Sequence, residues 1–176
     1  MKEIITYGLI LMLICAIAAG ALAYTYIQTQ KVIAQQKERE KLQALQELLP
    51  NAKEFEKVSN LPTPKNKLVK IFDIYIGKNN DKFIGKVFEV SIRGYSSDIN
   101  LMIGIDSSGK IVKVKVISQQ ETPGLGANIV KDEFLSQFIG KSSPNLEIKR
   151  DIQPVTGATI SSRAVLNAVK EVLSLK

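Results

Sequence analysis

The chain has 176 residues, which leaves room for one domain after any membrane segment, because domains typically hold roughly 100 to 150 residues. Histidine and tryptophan are absent and Cys15 is the only cysteine, which excludes the Cys/His clusters of zinc, haem and iron–sulfur sites. The net charge is +7, but lysines alternate with apolar residues, as at Lys113 and Lys115. This pattern favours a solvated strand face over nucleic-acid binding, with attraction to anionic lipid as a secondary effect.

The first predicted element is a membrane-spanning helix. Residues 4–30 contain no charged side chain, and about 20 apolar residues are enough to cross a bilayer. A cleaved signal peptide is the alternative, because Lys2 supplies a positive start and Ala21-Leu22-Ala23 resembles a cleavage site. The length of the segment favours a retained anchor, as do Tyr24 and Tyr26 at the position of an interfacial aromatic belt. Charges of both signs flank the segment and do not decide its orientation.

A second helix is predicted after the anchor. The stretch from Lys31 to Leu49 is rich in strong helix formers, with leucines at three- and four-residue spacing, and Pro50 ends the pattern. This juxtamembrane helix either holds the domain away from the membrane or packs against a partner. The predicted divisions are an anchor at 1–30, a juxtamembrane helix and linker at 31–52, and one domain at 53–176.

The remaining residues predict an α+β domain with an antiparallel sheet and flanking helices. Apolar and polar residues alternate along four strands, and Ser107-Ser108-Gly109 predicts a hairpin turn between the last two. The predicted strands run from Val69 to a turn at Lys78–Asp81, then over Phe83–Ile92, Asn100–Asp106 and Lys110–Ile117. The later predicted elements are a helix at Ala127–Phe138, a short strand at Leu146–Lys149 and a helix at Ser161–Leu173.

A run of small and hydroxylated residues stands directly before the last helix, at Thr156-Gly157-Ala158-Thr159-Ile160-Ser161-Ser162. Such a run suits a phosphate group, because N–H groups at a helix start carry partial positive charge and glycine allows close approach. Nearby hydroxyl groups would donate to the phosphate oxygens. Simple helix capping by Ser161 or Ser162 is the alternative interpretation.

A second candidate segment is Glu121-Thr122-Pro123-Gly124-Leu125-Gly126. Proline restricts one φ angle, while Gly124 and Gly126 permit positive φ and let the backbone and Leu125 approach a flat ring. Glu121 and Thr122 would then hydrogen-bond the polar edge of that ring. A structural turn that caps the next helix is equally compatible with these residues.

Together with a turn at Gly94-Tyr95, these two segments resemble the FMN-binding domain family. With its single N-terminal anchor, the chain is most similar to the G subunits of Rnf electron transport complexes, over nearly its whole length. The resemblance implies that Thr159 carries covalent FMN as a phosphoester, attached by a flavin transferase that uses FAD. It also implies cofactor contacts from Gly94, Tyr95, Glu121, Thr122, Gly124, Leu125, Gly126, Thr156, Gly157, Ala158, Ser161 and Ser162.

The chain departs from the pattern of that family in two places. Gln153 stands where relatives often have an aspartate three residues before the first motif hydroxyl, and Asp151 lies two residues earlier. Gln119 and Gln120 stand where relatives often have histidine. The first departure bears on recognition by the transferase.

The resemblance implies an electron-transfer subunit of a membrane complex that passes electrons between reduced ferredoxin and NAD while moving sodium ions or protons. No side chains have the spacing of an acid/base or nucleophilic set, so the expected chemistry is reversible reduction of FMN. The expected location is the cell membrane, with one membrane span and the FMN domain on the extracytoplasmic side. The expected partners are other Rnf subunits, the flavin transferase during maturation, and membrane lipid.

Three alternatives remain open, the first of them a second family resemblance. The C subunit of sodium-translocating NADH:quinone reductase shares the anchor and the flavin motif but is generally a larger chain. A membrane-anchored binding or scaffold module would use the basic domain for protein contacts and hold no flavin. A secreted polyanion-binding protein would be released by cleavage at Ala23.

Overall fold

A five-stranded antiparallel sheet forms the centre of the folded domain in a computed structural model of the chain. The structure describes residues 2–175, apart from the side chains at 2, 31, 34 and 37. The predicted role of Lys2 as the positive start of a signal peptide therefore lies outside the described residues. The helices are α1 (Lys2–Leu48), α2 (Asp132–Leu135) and α3 (Thr159–Ser174), and the strands are β1 (Glu54–Lys57), β2 (Val69–Asn79), β3 (Lys82–Arg93), β4 (Asp98–Asp106) and β5 (Ile111–Ser118). The chain divides into two compact units between Leu42 and Gln43.

The predicted anchor and the predicted juxtamembrane helix belong to one helix, α1. No proline precedes Pro50 in the sequence, which explains why the helix continues to Leu48. Within the described residues, Glu3–Gln30 is the one helical segment long and apolar enough to cross a membrane, by length and composition.

The five strands follow one another in space in the order of the sequence, each antiparallel to the next. The predicted strand pairs are confirmed, and β4 and β5 form the expected hairpin around Ser107–Gly109. The turn between β2 and β3 contains Asn80 and Asp81 at φ angles of 48° and 60°, which asparagine and aspartate tolerate better than most residues. Strand β1 was not predicted from the sequence; it has four residues and pairs with the end of β2.

Each face of the sheet is covered by a different element. One face carries the main core, in which Phe88 and Ile103 pack together with Val165 and Val169 of α3. On the other face, Leu45 and Leu48 at the end of α1 pack with Val87 and Met102. The last turns of α1 therefore contribute Ala44, Leu45 and Leu48 to the core of the domain.

The single helix predicted at Ala127–Phe138 is wrong. The chain forms a 3₁₀ turn at Gly126–Val130, then α2, then a second 3₁₀ turn at Ser136–Phe138. Lys131 has an extended backbone, with φ −69° and ψ 141°, and this conformation ends the first turn. The apolar spacing that suggested one helix instead reflects separate turns that each bury a large side chain, with the rings of Phe134 and Phe138 edge to face at 5.5 Å.

The short strand predicted at Leu146–Lys149 is also wrong. Only an isolated bridge joins Ile148 to Ile152, across a turn in which Lys149 has a φ angle of 72°. The carboxylate of Asp151 accepts the Glu147 N–H at 2.8 Å and folds the chain back on itself. The following helix is confirmed, and it begins at Thr159, two residues before the predicted start.

Candidate functional site

Three segments that are far apart in the sequence meet around a cleft of about 410 Å³ at the start of α3. This volume lies within the range of roughly 300 to 1,000 Å³ that small-molecule sites occupy. The lining residues are Tyr95, Glu121, Thr122, Leu125, Gly126, Gly157, Ala158, Thr159, Ile160 and Ser161. The fold therefore brings the three predicted motif segments to one place.

Four predicted site residues do not line this cleft. Gly94 lies behind the carboxylate of Glu121, and Ser162 is buried in the first turn of α3. Gly124 and Thr156 line a neighbouring cleft of about 500 Å³, which has Leu125 as a shared wall.

The start of α3 has the features expected of an anion site. Among the described residues, no side chain caps the helix at its N-cap residue, Ala158, so capping by Ser161 or Ser162 does not occur. Gly157 has a φ angle of 74°, and a Cβ there would lie 2.8 Å from Cδ2 of Leu125. The N–H groups in the first turn of a helix have no intrahelical acceptor, and a phosphate group can bind them.

The hydroxyl groups of the motif have different environments. Ser161 donates to Glu121 at 2.5 Å, and Ser162 donates to the carbonyl oxygen of Ala158 at 2.9 Å. Ser162 Oγ also accepts the Val155 N–H at 3.0 Å. Both serine hydrogens are therefore used within the protein. Thr159, in contrast, is exposed and lines the cleft.

Glu121 is the most heavily hydrogen-bonded side chain of the cleft. It is only 4% exposed and accepts the backbone N–H groups of Tyr95, Ser96 and Ser97 at 3.2, 3.0 and 3.0 Å, besides the Ser161 hydroxyl. Burial, the largest single influence, raises the pKa of the Glu121 carboxyl group. The hydrogen bonds together outweigh it, so the pKa lies below its usual value. A carboxylate bound in this way joins separate segments of the protein to one another.

The glycines of the Glu121–Gly126 segment have two distinct roles. Gly124 has a φ angle of 75°, as a turn requires, while Gly126 does not have the positive φ that its sequence position suggested. A Cβ at Gly126 would lie 2.9 Å from Glu121 and 3.0 Å from Oγ of Ser161. A Cβ at Gly94 would similarly lie 2.6 Å from the Glu121 carboxylate. Gly94 and Gly126 therefore leave space for the side chain of Glu121.

Three exposed side chains present apolar or aromatic surface at the mouth of the cleft. Tyr95, Leu125 and Ile160 are 66%, 47% and 57% exposed. Sequence reasoning missed Ile160, although an apolar residue in the first turn of α3 that lies off the buried stripe is a usable signal. Such side chains suit a flat, largely apolar ring, and the uncapped helix start suits its phosphate. The described residues thus fit FMN.

The motifs that line the cleft belong to a known family. The sequence pattern of the FMN-binding domain matches residues 94–174, and that of the RnfG N-terminal region matches residues 1–48. The G subunit of the Na(+)-translocating ferredoxin:NAD(+) oxidoreductase complex of Acetobacterium woodii is 34% identical, over 96% of this chain and 89% of the relative. The chain belongs to the RnfG family.

Other relatives agree with this membership of the RnfG family. The G subunit of the proton-translocating ferredoxin:NAD(+) oxidoreductase complex of Clostridium ljungdahlii is 33% identical, over 89% of this chain and 83% of the relative. Among solved structures, Shewanella oneidensis NqrC has a TM-score of 0.51 and 21% identity, covering 70% of this chain and 66% of NqrC. At that identity NqrC shares the fold, whereas the RnfG relatives share the sequence over most of the chain.

Proposed function

We propose that this chain is the flavin-carrying electron-transfer subunit of a membrane-bound, ion-translocating ferredoxin:NAD oxidoreductase complex, with FMN attached to Thr159 through a phosphoester. The observation that carries the attachment site is the difference between the motif hydroxyls. Thr159 is exposed in the cleft, the two serines are buried and bonded, and Thr156 lies in the neighbouring cleft. The names of the RnfG relatives support the complex.

In the proposed attachment, Oγ of Thr159 attacks the phosphorus atom on the FMN side of the FAD pyrophosphate. A new P–O bond forms to Thr159, the bond to AMP breaks, AMP leaves, and the threonine proton is released. A flavin transferase would catalyse this step. Gly157 and Ala158 carry no side chain larger than a methyl group, so the transferase can reach the hydroxyl of Thr159.

The residues of the cleft then have separate tasks. Thr159 is a tether, the first turn of α3 binds the phosphate through its N–H groups, and Leu125 and Ile160 provide apolar contact to the ring. Bound FMN supplies reversible one- and two-electron transfer. The protein contributes position and electrostatic environment.

We further propose that Glu3–Gln30 spans the membrane once and that the FMN domain lies on the extracytoplasmic side. A cofactor on that side could not be replaced from a cytoplasmic pool, which gives covalent attachment a physical purpose. The proposed partners are the other subunits of the complex, the transferase during maturation, and the lipid around the span. The proposed divisions remain 1–30, 31–52 and 53–176, although the packing shows that residues 43–52 contribute to the core.

The attachment is tested by co-expressing the chain with a flavin transferase, denaturing it, and recording absorbance together with the masses of its peptides. We expect wild-type protein and Thr156→Ala to carry FMN on the peptide that contains Thr159, and Thr159→Ala to carry none. Both threonines are exposed, so both variants should fold with nearly unchanged stability.

A known flavin acceptor expressed in the same cells shows that the transferase is active. A colourless wild-type chain beside a modified acceptor would point to a flavin-free scaffold instead. Covalent FMN retained by Thr159→Ala would move the attachment to another residue.

A further inference from the structure

We propose that Glu121 is the positioning residue of the flavin cleft, joining its three segments through one carboxylate and placing a fixed negative charge in its wall. The inference rests on the proposed function, because it concerns how the chain holds FMN. Glu121 is not expected to exchange a proton or bond with the substrate.

The Glu121 carboxylate connects its own segment to the other two segments of the cleft. It reaches the backbone of the turn at residues 95–97, which lies 24 to 26 positions earlier in the chain. It also reaches the hydroxyl of Ser161, which lies 40 positions later. Tyr95 and Ser161 both line the cleft, so the carboxylate sets the separation of two of its walls.

Additional bonds strengthen the connection between the 95–97 turn and the segment around Glu121. The Gln120 N–H donates to Oγ of Ser97 at 2.9 Å and joins the two segments a second time. Within its own segment, the Glu121 N–H donates to Oε1 of Gln119 at 2.6 Å. The backbone beside Glu121 and the Glu121 carboxylate are thus both bonded to the 95–97 turn. A side chain with three backbone N–H donors and one hydroxyl donor has little freedom to turn toward a ligand.

The charge of Glu121 has an effect that position alone would not have. Its hydrogen bonds stabilise the ionised form, so the carboxylate stays negative near neutral pH. A fixed negative charge beside a flavin opposes the gain of electrons, and its Coulomb effect is larger where water is partly excluded. Glu121 therefore lowers the reduction potential of the flavin held in the cleft.

The test compares Glu121→Gln with Glu54→Gln, an exposed glutamate on β1 that makes the same change of charge away from the cleft. Glutamine matches the size of glutamate but has one acceptor oxygen, so at least one backbone N–H of the 95–97 turn loses its partner. We expect faster hydrogen exchange at these amides, a severalfold lower extent of FMN attachment, and a higher midpoint potential for the attached fraction. Glu54→Gln should match wild type in all three.

Ser161→Ala provides a second variant if Glu121→Gln folds poorly. It removes one bond and leaves the charge, so we expect reduced attachment or an altered visible circular dichroism of the flavin, with little change in potential. The inference would be overturned if Glu121→Gln had the same hydrogen exchange at residues 95–97, the same extent of FMN attachment and the same midpoint potential as wild type. A wild-type chain that accepts no FMN would count against the proposed function, while hydrogen exchange on that chain would still decide whether Glu121 organises the cleft.

Discussion

Gln137 binds both backbone groups of Gln153: its Oε1 accepts the Gln153 N–H at 2.7 Å, and its Nε2 donates to the Gln153 carbonyl oxygen at 3.2 Å. Gln153 also donates from Nε2 to the carbonyl oxygen of Lys149 at 3.0 Å. These bonds fix the chain three residues before Thr156, at the position where relatives often have aspartate. The approach to the motif is therefore an ordered surface that a transferase would meet.

Gln137→Ala should slow FMN attachment without unfolding the domain. Three hydrogen bonds are lost, two to Gln153 and one to the carbonyl oxygen of Glu133, each worth about 0.5 to 1.5 kcal/mol. The segment before the motif becomes less ordered. The initial rate of attachment, followed by mass spectrometry, measures the effect. Gln120→Ala, at an exposed glutamine that lines neither cleft, is the matched control. Equal rates for both variants would show that the bonds from Gln137 to Gln153 are not needed.

Gly104→Ala should destabilise the domain by about 1 to 3 kcal/mol, because it overpacks the contact between α1 and the sheet. A Cβ at Gly104 would lie 2.6 Å from the carbonyl oxygen of Leu48 and 3.1 Å from its Cβ. Thermal melting of the full chain in detergent measures the loss. Gly20→Ala, where no described heavy atom would lie within 4 Å of the new Cβ, should melt no lower than wild type. An unchanged melting temperature for Gly104→Ala would mean that the end of α1 packs less closely than the structure shows.

Glu171→Ala should cost about 1 to 3 kcal/mol of folding free energy, because two backbone donors lose their acceptor. The buried Glu171 carboxylate accepts the N–H groups of Lys65 at 2.6 Å and Asn66 at 3.2 Å, and so holds the loop before β2 against α3. Urea unfolding measures the change, and Glu171→Gln, which keeps one acceptor, should lie between wild type and alanine. If Glu171→Ala lowered the free energy of unfolding as little as Glu54→Ala, at an exposed position, this role of Glu171 would be contradicted.

The stability of the domain should fall in acid partly because of Glu121. Its folded pKa is lower than its usual value near 4.5, so its contribution is fully present above about pH 4.5 and is lost as pH falls through the folded pKa. Glu121→Gln lacks this titration, and its free energy of unfolding should decrease less steeply from pH 7 toward pH 3. Urea titrations at a series of pH values compare the two proteins. Parallel pH profiles would remove Glu121 from the groups responsible for acid sensitivity.

Orientation in the membrane can be measured with a single introduced thiol. Cys15 is the only cysteine, so Cys15→Ser with Thr63→Cys places one thiol at an exposed position of the domain. On intact spheroplasts, a membrane-impermeant maleimide should label this protein, and Cys15→Ser alone should stay unlabelled. Labelling that appears only after the cells are broken would place the domain on the cytoplasmic side.

Features that depend on neighbouring residues could be predicted from the sequence. The uncharged run at 4–30, the alternation along β2 to β5 and the apolar stripe of α3 each correspond to the described element. Helix and strand periods and apolar length are local properties, so a single sequence shows them. The motif residues around Thr159 and Glu121 were also found, because glycine and hydroxyl residues at fixed spacing identify them and their family.

Other features depend on partners that are distant in the chain. Turns at 126–138 replaced one predicted helix because each turn buries its own apolar residue in the core, and β1 forms only because the end of β2 offers it hydrogen bonds. The Glu121 carboxylate binds residues 24 and 40 positions away. These donors, with the space left by Gly94 and Gly126, hold it in the wall of the cleft. The sequence by itself determined which three segments gather at the site. Only the tertiary structure decided which of them present a free hydroxyl and which are held in hydrogen bonds, because a buried donor or acceptor takes the partner that the fold brings within reach.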